Sequence, residues 1–492
     1  RPCSMGPLAA DVGPAAAGVA HINEYGRRHF QGCLTCSWTE LKGRVVHAAR
    51  DFTQGDIILA EPPLHVVQED GQAEAFKKVQ QLCKQFEDDF DYEPLWYWCA
   101  LRSLTDKQLE GSKAGGLKGV DPGVQKNLLL LHHEEPAAPS SAASILAKEL
   151  APGADAMLIE RLIQIWVLNC FEYSDNPQGY STYFFSSFMS HSCFPNAIWH
   201  YQDDDHVLRA RRDIKVGDEV CISYLTEDGL LQCASMRRWD LHETKHFWCT
   251  CERCGGEKDF SRGFRCPKCE EGAIFSRTPA PGAASSAALQ PEELVNESCS
   301  SCKFKVTKKE AERLTKLERT LRVSIDKYAE QKRADEAVAL KSFRATEEII
   351  DASFFQHALA DLMWEKLADY YAQHQRSSDH RRLLERRCAF HEAAYPGLSA
   401  AHAWCLEGFA DALKKEPSAT QAPPVVTDAV ARGSWAKADR LRWQKAAKAE
   451  PEEAARLYTQ AHDILRLMFG ESHEYVTGLE SKRRRLSACG LV

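Results

Sequence analysis

Three short cysteine spacings constrain this chain more than any other feature: Cys249-x-Cys251-x-x-Cys254, Cys266-x-x-Cys269 and Cys299-x-x-Cys302. A tetrahedral zinc ion takes four ligands, and a Cys-x-x-Cys turn brings two thiolates together while nearby backbone amides soften their charge. The two Cys-x-x-Cys pairs therefore complete one four-cysteine set. The intervening residues 270–298 are rich in Ala, Pro and Ser, a loop whose closure costs little entropy. The competing reading is reduced cysteines in a disordered linker. The 249–254 cluster supplies only three thiolates and needs a fourth from elsewhere. Most of the other cysteines among the 19 in this 492-residue chain stand alone. That pattern favours metal sites in a reducing compartment over a secreted disulfide framework.

A chain of this length should hold two to four domains with large cores. With 44% hydrophobic and 27% charged residues it reads as an ordinary globular protein. Its net charge of −8 gives no overall field for nucleic acid. No apolar run approaches the roughly 20 residues of a membrane helix, and no signal-peptide pattern opens the sequence.

Residues 1–20, rich in Ala, Gly and Pro, read as flexible. Cys33-x-x-Cys36, with His21 and His29 before it, is open between a metal site and two unliganded cysteines in a loop; the missing second pair favours the loop. In RVVHAARDFTQGDIILAEPPLHVV (Arg44 to Val67), the Gln54-Gly55-Asp56 turn separates two β-branched runs, which predicts a strand pair. Residues 73–110 and 124–149 carry apolar residues at helical spacing on either side of a Gly-rich stretch. Another helix is expected from Ala156 to Phe171. From about residue 307 the pattern is helical to the end. Leu457, Ala461, Ile464, Leu465 and Met468 follow one face, and an earlier segment with Leu384, Cys388 and Tyr395 resembles it. This suggests helix-hairpin repeats of the tetratricopeptide type, interrupted by a Pro-rich loop at 415–433. The basic run at 482–485 reads as a solvated helix end.

Between Gly179 and Cys254 three features follow one another: His191-Ser192-Cys193 with Pro195 and Asn196, an apolar strand ending Asp218-Glu219-Val220-Cys221-Ile222-Ser223-Tyr224, and the three-cysteine cluster. This succession resembles the second half of a SET domain and its zinc-binding post-SET segment, as found in protein lysine methyltransferases. The Gly43-Arg44-Val45 stretch resembles the family's Gly-x-Gly opening without the second Gly, and Asn169-Cys170-Phe171 resembles the lead-in of the SET and MYND subgroup. No cysteine-histidine array stands where that subgroup inserts its MYND finger, so the finger is expected to be absent. Finger-less enzymes of the apicomplexan apical complex are a similar type, and the Ala-rich insertions fit them.

The resemblance implies an α+β fold: a SET β-fold with inserted helices, zinc-binding post-SET and ribbon modules, and an all-α tetratricopeptide-like C-terminal domain. The expected divisions are a flexible segment 1–38, first SET part 39–70, helical insertion 71–150, second SET part 151–228, post-SET segment 229–256, four-cysteine zinc module 257–306 and helical repeat 307–492. It implies S-adenosyl-L-methionine as cofactor, with Gly43, Arg44, Val45, Asn169, Ser190, His191 and Phe247 around it. Ser190 replaces the family's usual Asn, which removes a carboxamide near the cofactor. Tyr224 corresponds to the catalytic tyrosine and Tyr183 to an aromatic lining residue. Cys193 supplies the fourth ligand to Cys249, Cys251 and Cys254, giving two structural Zn2+ sites with Cys266, Cys269, Cys299 and Cys302.

Methyl transfer to an amine needs a neutral nucleophile. Burial lowers a lysine's pKa, aromatic faces tolerate a sulfonium, and a narrow channel fixes the approach. A strand-end Tyr taken alone is ordinary packing; the flanking motifs make Tyr224 a catalytic candidate. The expected partner is a protein substrate carrying a lysine, with no membrane and no nucleic acid. The helical repeats and ribbon loop offer surfaces for a homodimer. The expected location is the cytoplasm, with the cytoskeleton or nucleus as variants. A zinc and helical-repeat scaffold without catalysis is the competing reading. A nucleic-acid reader built on Lys303, Lys305, Lys308 and Lys309 ranks last, since few aromatics interleave with them.

Overall fold

The computed structural model describes residues 18–269, 271–280, 289–414 and 435–488. They group into two compact units. The first is the chain to Ser190 plus Asn196–Ile222; the second is His191–Pro195 plus everything from Ser223.

In the first unit, three small antiparallel sheets carry most of the β content of the described residues. The hairpin Leu34–Thr39 with Gly43–Ala48 is one. Ile57–Glu61, Asp205–Ala210 and Ala197–Gln202 form a second, with Asp205–Ala210 central. His65–Gln68, Gln178–Thr182 and Phe171–Asp175 form the third, with Gln178–Thr182 central. The two β-branched runs around Gln54-Gly55-Asp56 are strands, but they do not pair with each other as the turn suggests. Gly43–Ala48 pairs with the strand before it, and Ile57–Glu61 pairs with Asp205–Ala210. The reason lies in the turn's other bonds. Gly55, at φ +91°, donates its amide to Ala210 O at 2.8 Å, and Phe52 bridges Ile214. The turn thus hands the chain to a distant strand.

The inserted helices begin where the sequence caps them. Asp155 accepts from Met157 N ahead of Ala156–Asn169, and Ser140 accepts from Ala143 N ahead of Ser141–Leu150. Asp121 and Pro122 open Pro122–Leu128 in the same way. Their inner faces bury Trp98 and Trp166, whose indole N–H groups reach Gln68 O at 3.1 Å and Ser103 Oγ at 2.8 Å. A buried indole needs such a partner. Glu61 is fully buried and accepts from Phe185 N (2.7 Å), Ser186 N (2.9 Å) and Ser186 Oγ (2.8 Å), which fixes the segment leading to residue 190.

The segment 1–38 is not flexible throughout. Val19–Phe30 is a helix and Leu34–Thr39 a strand; residues 1–17 lie outside the described residues. Ile22 and Gly26 bury one face of the helix, and a Cβ on Gly26 would stand 2.9 Å from the Phe185 ring. Cys33 lies in the short connection before that strand, as a loop residue, whereas Cys36 lies within the strand. Their thiols point to Ile58 O and Ser37 O, and neither belongs to a metal-binding group among the described residues.

His206 is enclosed by aromatic rings: Phe171 at 5.0 Å, Tyr183 at 5.1 Å and Trp199 stacked at 5.1 Å. It is fully buried and neither ring nitrogen has a hydrogen-bond partner. Burial, with His200 adding to it, pushes its pKa down to about 3. Since the folded value lies below the unfolded one, the neutral ring stabilises the fold above pH 6.5, and that contribution is lost as the pH falls toward 3. The difference amounts to roughly 5 kcal/mol. Urea unfolding at pH 7 and pH 4.5 is expected to show a smaller loss of stability in His206→Phe than in the wild type. Equal losses in both would place the acid sensitivity elsewhere.

In the second unit, the strands Lys258–Arg265, Ala273–Arg277 and Phe354–His357 make a three-stranded sheet with Lys258–Arg265 central. Arg262, fully buried, forks onto Glu318 (2.7 and 2.8 Å), and His357 Nε2 meets the same carboxylate at 3.0 Å. This pairing ties the sheet to helix Lys308–Asp326; a buried charge left single would be strongly destabilising. From Ala358–Gln373 onward each helix packs on the next: Ser377–Ala394, Ala400–Lys414, Trp435–Phe469 and Glu474–Ala488. Leu384, Cys388, Tyr395, Leu457, Ala461, Leu465 and Met468 are buried, as the spacing requires, while Ile464 of the same expected face is only half-buried. The Pro-rich interruption at 415–433 lies outside the described residues. No described helix is long and apolar enough to cross a membrane.

Candidate active site and metal centres

Two four-cysteine groups stand in the second unit, each with all its sulfurs within 4.8 Å of one another. In the first, Cys193 Sγ lies 4.0 Å from Cys249 Sγ and 3.5 Å from Cys254 Sγ, and Cys193 N donates to Cys251 Sγ at 3.4 Å. Zinc–sulfur bonds of about 2.3 Å in a tetrahedron put sulfurs roughly 3.8 Å apart, so the cage fits zinc. Cys193 thus completes a four-sulfur set with the 249–254 run, one that could hold the ion.

Four thiolates around one divalent ion carry a net charge of −2, and three arginines answer it. Arg237, on helix Ala234–Lys245 and 2% exposed, points its guanidinium at Cys254 Sγ, 3.5 Å away. Arg238 donates to Cys249 O (2.8 Å) and Cys254 O (3.0 Å). Arg253 donates to Cys193 O at 3.3 Å and Ala394 O at 3.0 Å, and its guanidinium lies 5.1 Å from the Tyr395 ring centre. Sequence reasoning missed all three, because arginine is so seldom fully buried. The one signal was a basic pair on a helix directly preceding the cysteine cluster.

In the second group, Cys266 and Cys302 sulfurs are 3.6 Å apart and Cys269 and Cys299 sulfurs 3.7 Å. Amides of Lys268, Gly272 and Ser301 each donate to a sulfur at 3.4 Å. A Cβ on Gly272 would stand 2.3 Å from Cys299 Sγ, so only glycine fits there. This donor set also fits zinc, and Cys302 is exposed where the first cage is largely buried.

Beside the first cage the rings of His191, Tyr224 and Phe247 come together. His191 lies 5.4 Å from Tyr224 and 6.0 Å from Phe247, and Tyr224 meets Phe247 edge-on at 6.2 Å. His191 Nδ1 accepts from Tyr224 N at 2.9 Å. The ring proton therefore sits on Nε2, which faces Cys193 Sγ at 3.2 Å. Burial holds this imidazole down at about 4. Phe247 is half-buried, and Tyr224 keeps 40% of its surface exposed. In the first unit, Asn196 braces the strand leading to Tyr224: its side chain donates to Glu219 O and accepts from Cys221 N, both at 2.8 Å.

The remaining candidates lie in the first unit. Gly43 opens its strand at φ +69°. Val45 is buried in the hairpin opposite Ser37. The Arg44 guanidinium bonds Leu130 O and sits 5.4 Å from the Phe188 ring centre. Asn169 spends its amide hydrogens on His132 O and Ile165 O, both at 2.8 Å. Ser190 is half-buried at the end of the unit's first stretch. Tyr183 is buried among Phe171, Tyr201 and His206 and donates its hydroxyl to Asp204 O at 2.9 Å. Burial pushes its phenol up to about 12.

Residues 43–225 match the SET domain family. The protein-lysine N-trimethyltransferase SMYD5 of Gallus gallus is 35% identical over 86 residues, 17% of this chain and 20% of that protein. The histone-lysine N-methyltransferase ASHR1 of Arabidopsis thaliana is 23% identical over 286 residues, 48% of this chain and 59% of that one. The solved structure of Rubisco LSMT bound to AdoMet aligns at TM-score 0.25 and 13% identity, over 78% of this chain and 95% of the other. The matched part spans about a fifth of the SMYD5 relatives' length. Residues 43–225 are thus similar to the SET domain, and the chain is similar to the SET and MYND protein-lysine methyltransferases.

Proposed function

We propose that the protein is an S-adenosylmethionine-dependent protein-lysine N-methyltransferase. The observation that carries this reading is the His191, Tyr224 and Phe247 group, held on a four-cysteine cage at the end of a SET domain. S-adenosylmethionine, when bound, supplies the methyl group as an electrophilic sulfonium. Aromatic faces suit that charge, and Phe247 and Tyr224 present two of them. The resemblance also assigns Gly43, Arg44, Val45, Asn169 and Ser190 of the first unit, and His191 of the second, to cofactor binding. His191 and Asn169 act there through their backbone or by holding neighbours, because their side chains are engaged with Tyr224 N, Cys193 Sγ, His132 O and Ile165 O.

The chain's own task is to prepare the amine. A lysine must be neutral to attack, and an apolar aromatic lining disfavours its ammonium form. Tyr183 belongs to such a lining, with Phe171, Trp199 and Tyr201. Its hydroxyl is already committed to Asp204 O, so the part proposed for Tyr183 is that of its ring alone; orienting the reacting amine is the part proposed for Tyr224. Zinc held by the two cages would be structural, since each set offers four cysteines and would leave no position for substrate.

The test is transfer of a labelled methyl group from S-adenosylmethionine to protein lysines, alongside calorimetric binding of the cofactor. Binding and lysine labelling are expected. A protein with both cages loaded that binds no cofactor would reduce the fold to a zinc and helical-repeat scaffold.

A further inference from the structure

The geometry points to His191 as a positioning residue that couples the first four-cysteine centre to the backbone of Tyr224. This inference rests on the reading of Tyr224 as the residue that orients the amine; the coupling itself rests on geometry alone. The imidazole has two faces and both are in use. Nδ1 accepts from Tyr224 N at 2.9 Å, and the proton left on Nε2 points at Cys193 Sγ, 3.2 Å away. Cys193 is therefore bound three ways: to its cage partners through sulfur, to Cys251 Sγ through its amide, and to His191 through the N–H···S contact. Arg253 also holds its carbonyl. A cysteine so constrained fixes the plane of the His191 ring, and the ring fixes the height of Tyr224 N.

The chemistry of the loaded cage strengthens each link. A zinc-bound sulfur is a thiolate, a better acceptor for Nε2–H than a thiol, and this bond keeps the tautomer that leaves Nδ1 free to accept. The Tyr224 amide then finds a fixed acceptor at the point where its strand ends and the ladder bonds run out. Metal loading and the position of the proposed reacting tyrosine become one equilibrium, with a single side chain between them.

Two measurements on the full chain test the coupling, neither of which needs turnover. The first is amide hydrogen exchange at Tyr224 in metal-loaded protein. His191→Phe keeps the ring but removes the acceptor, and exchange at Tyr224 is expected to speed up about tenfold. Amides of helix Ala234–Lys245 should be unaffected. His191→Asn, whose Oδ1 stands in for Nδ1, is expected to restore most of the protection. The second is cadmium-113 resonance of protein loaded with cadmium in both cages. His191→Phe and His191→Asn, which lack the N–H···S donor, should shift the resonance of the first cage and leave the second in place. His191→Gln, whose Nε2 can replace the donor, should shift it less.

Unchanged Tyr224 exchange in folded His191→Phe, or a first-cage resonance indifferent to all three variants, would overturn the coupling. If His191→Phe does not fold, the Asn and Gln variants decide it, since they separate the two halves of the contact. Where a protein substrate with an acceptor lysine is in hand, kcat should fall in His191→Phe with little change in KM for S-adenosylmethionine. A protein that transfers no methyl at all would sink the enzyme reading and leave the exchange and resonance results to judge the coupling by themselves.

Discussion

Tyr224→Phe is expected to lower the methyl-transfer rate by a factor of about a hundred to a thousand, with cofactor affinity unchanged. The hydroxyl removed is the one polar group that the ring carries, on a side chain 40% exposed and flanked by His191 and Phe247. Losing a preorganised donor that acts on the reacting centre costs on that order. The ring, the edge-on contact with Phe247 and the backbone bond to His191 all survive the substitution, so the fold and the cofactor's aromatic surroundings should remain. Labelled-methyl transfer with calorimetry on the same preparations checks both parts. A variant that keeps more than about half its rate would move the chemistry away from Tyr224.

Cys193→Ser should have the larger effect on stability. It leaves three thiolates, Cys249, Cys251 and Cys254, with no fourth in the group among the described residues. Structural zinc sites contribute roughly 10–16 kcal/mol of coupled folding energy, as large as the whole stability of a typical domain. The zinc content measured by atomic absorption should fall from two ions per chain to one. The melting transition should drop and broaden as the segment around Ala234–Lys245 loosens. The buried Arg237 and Arg238 add to the cost, because removing the anionic centre leaves cations stranded in the interior. Two ions retained with an unshifted transition would remove Cys193 from the first cage.

Much of this was legible in the sequence because it depends on local spacing. The Cys-x-x-Cys pairs, the capped helices at Asp155 and Ser140, and the buried faces around Leu384 and Leu457 are all set within a few residues. The Cys193 ligand was legible only through the resemblance, since no spacing links it to a cluster more than fifty residues away. What stayed hidden depends on long-range partners. The Gln54-Gly55-Asp56 turn looks like a hairpin because the bond from Gly55 N to Ala210 O cannot be seen locally. Residues 19–30 look flexible because their burial depends on Phe185. Arg237 looks like a surface cation until the thiol cage appears beside it. Beside the cofactor role expected of His191, the service of its two nitrogens to Tyr224 and Cys193 is also invisible locally.

The way the chain is shared between its two units governs how the protein can be made. It leaves the first unit at His191, returns at Asn196 and leaves again at Ser223. No single cut of the gene separates the halves. A protein ending at residue 225, where the SET match ends, would carry Cys193 without Cys249, Cys251 and Cys254, and Tyr224 without its aromatic neighbour Phe247. Translation meets the same order: Cys193 leaves the ribosome long before the cysteines that complete its cage. The finished first half must wait, with one thiol uncommitted, until the Cys249–Cys254 segment emerges. Zinc availability during synthesis, more than the sequence of the SET segment alone, should then set the yield of active protein.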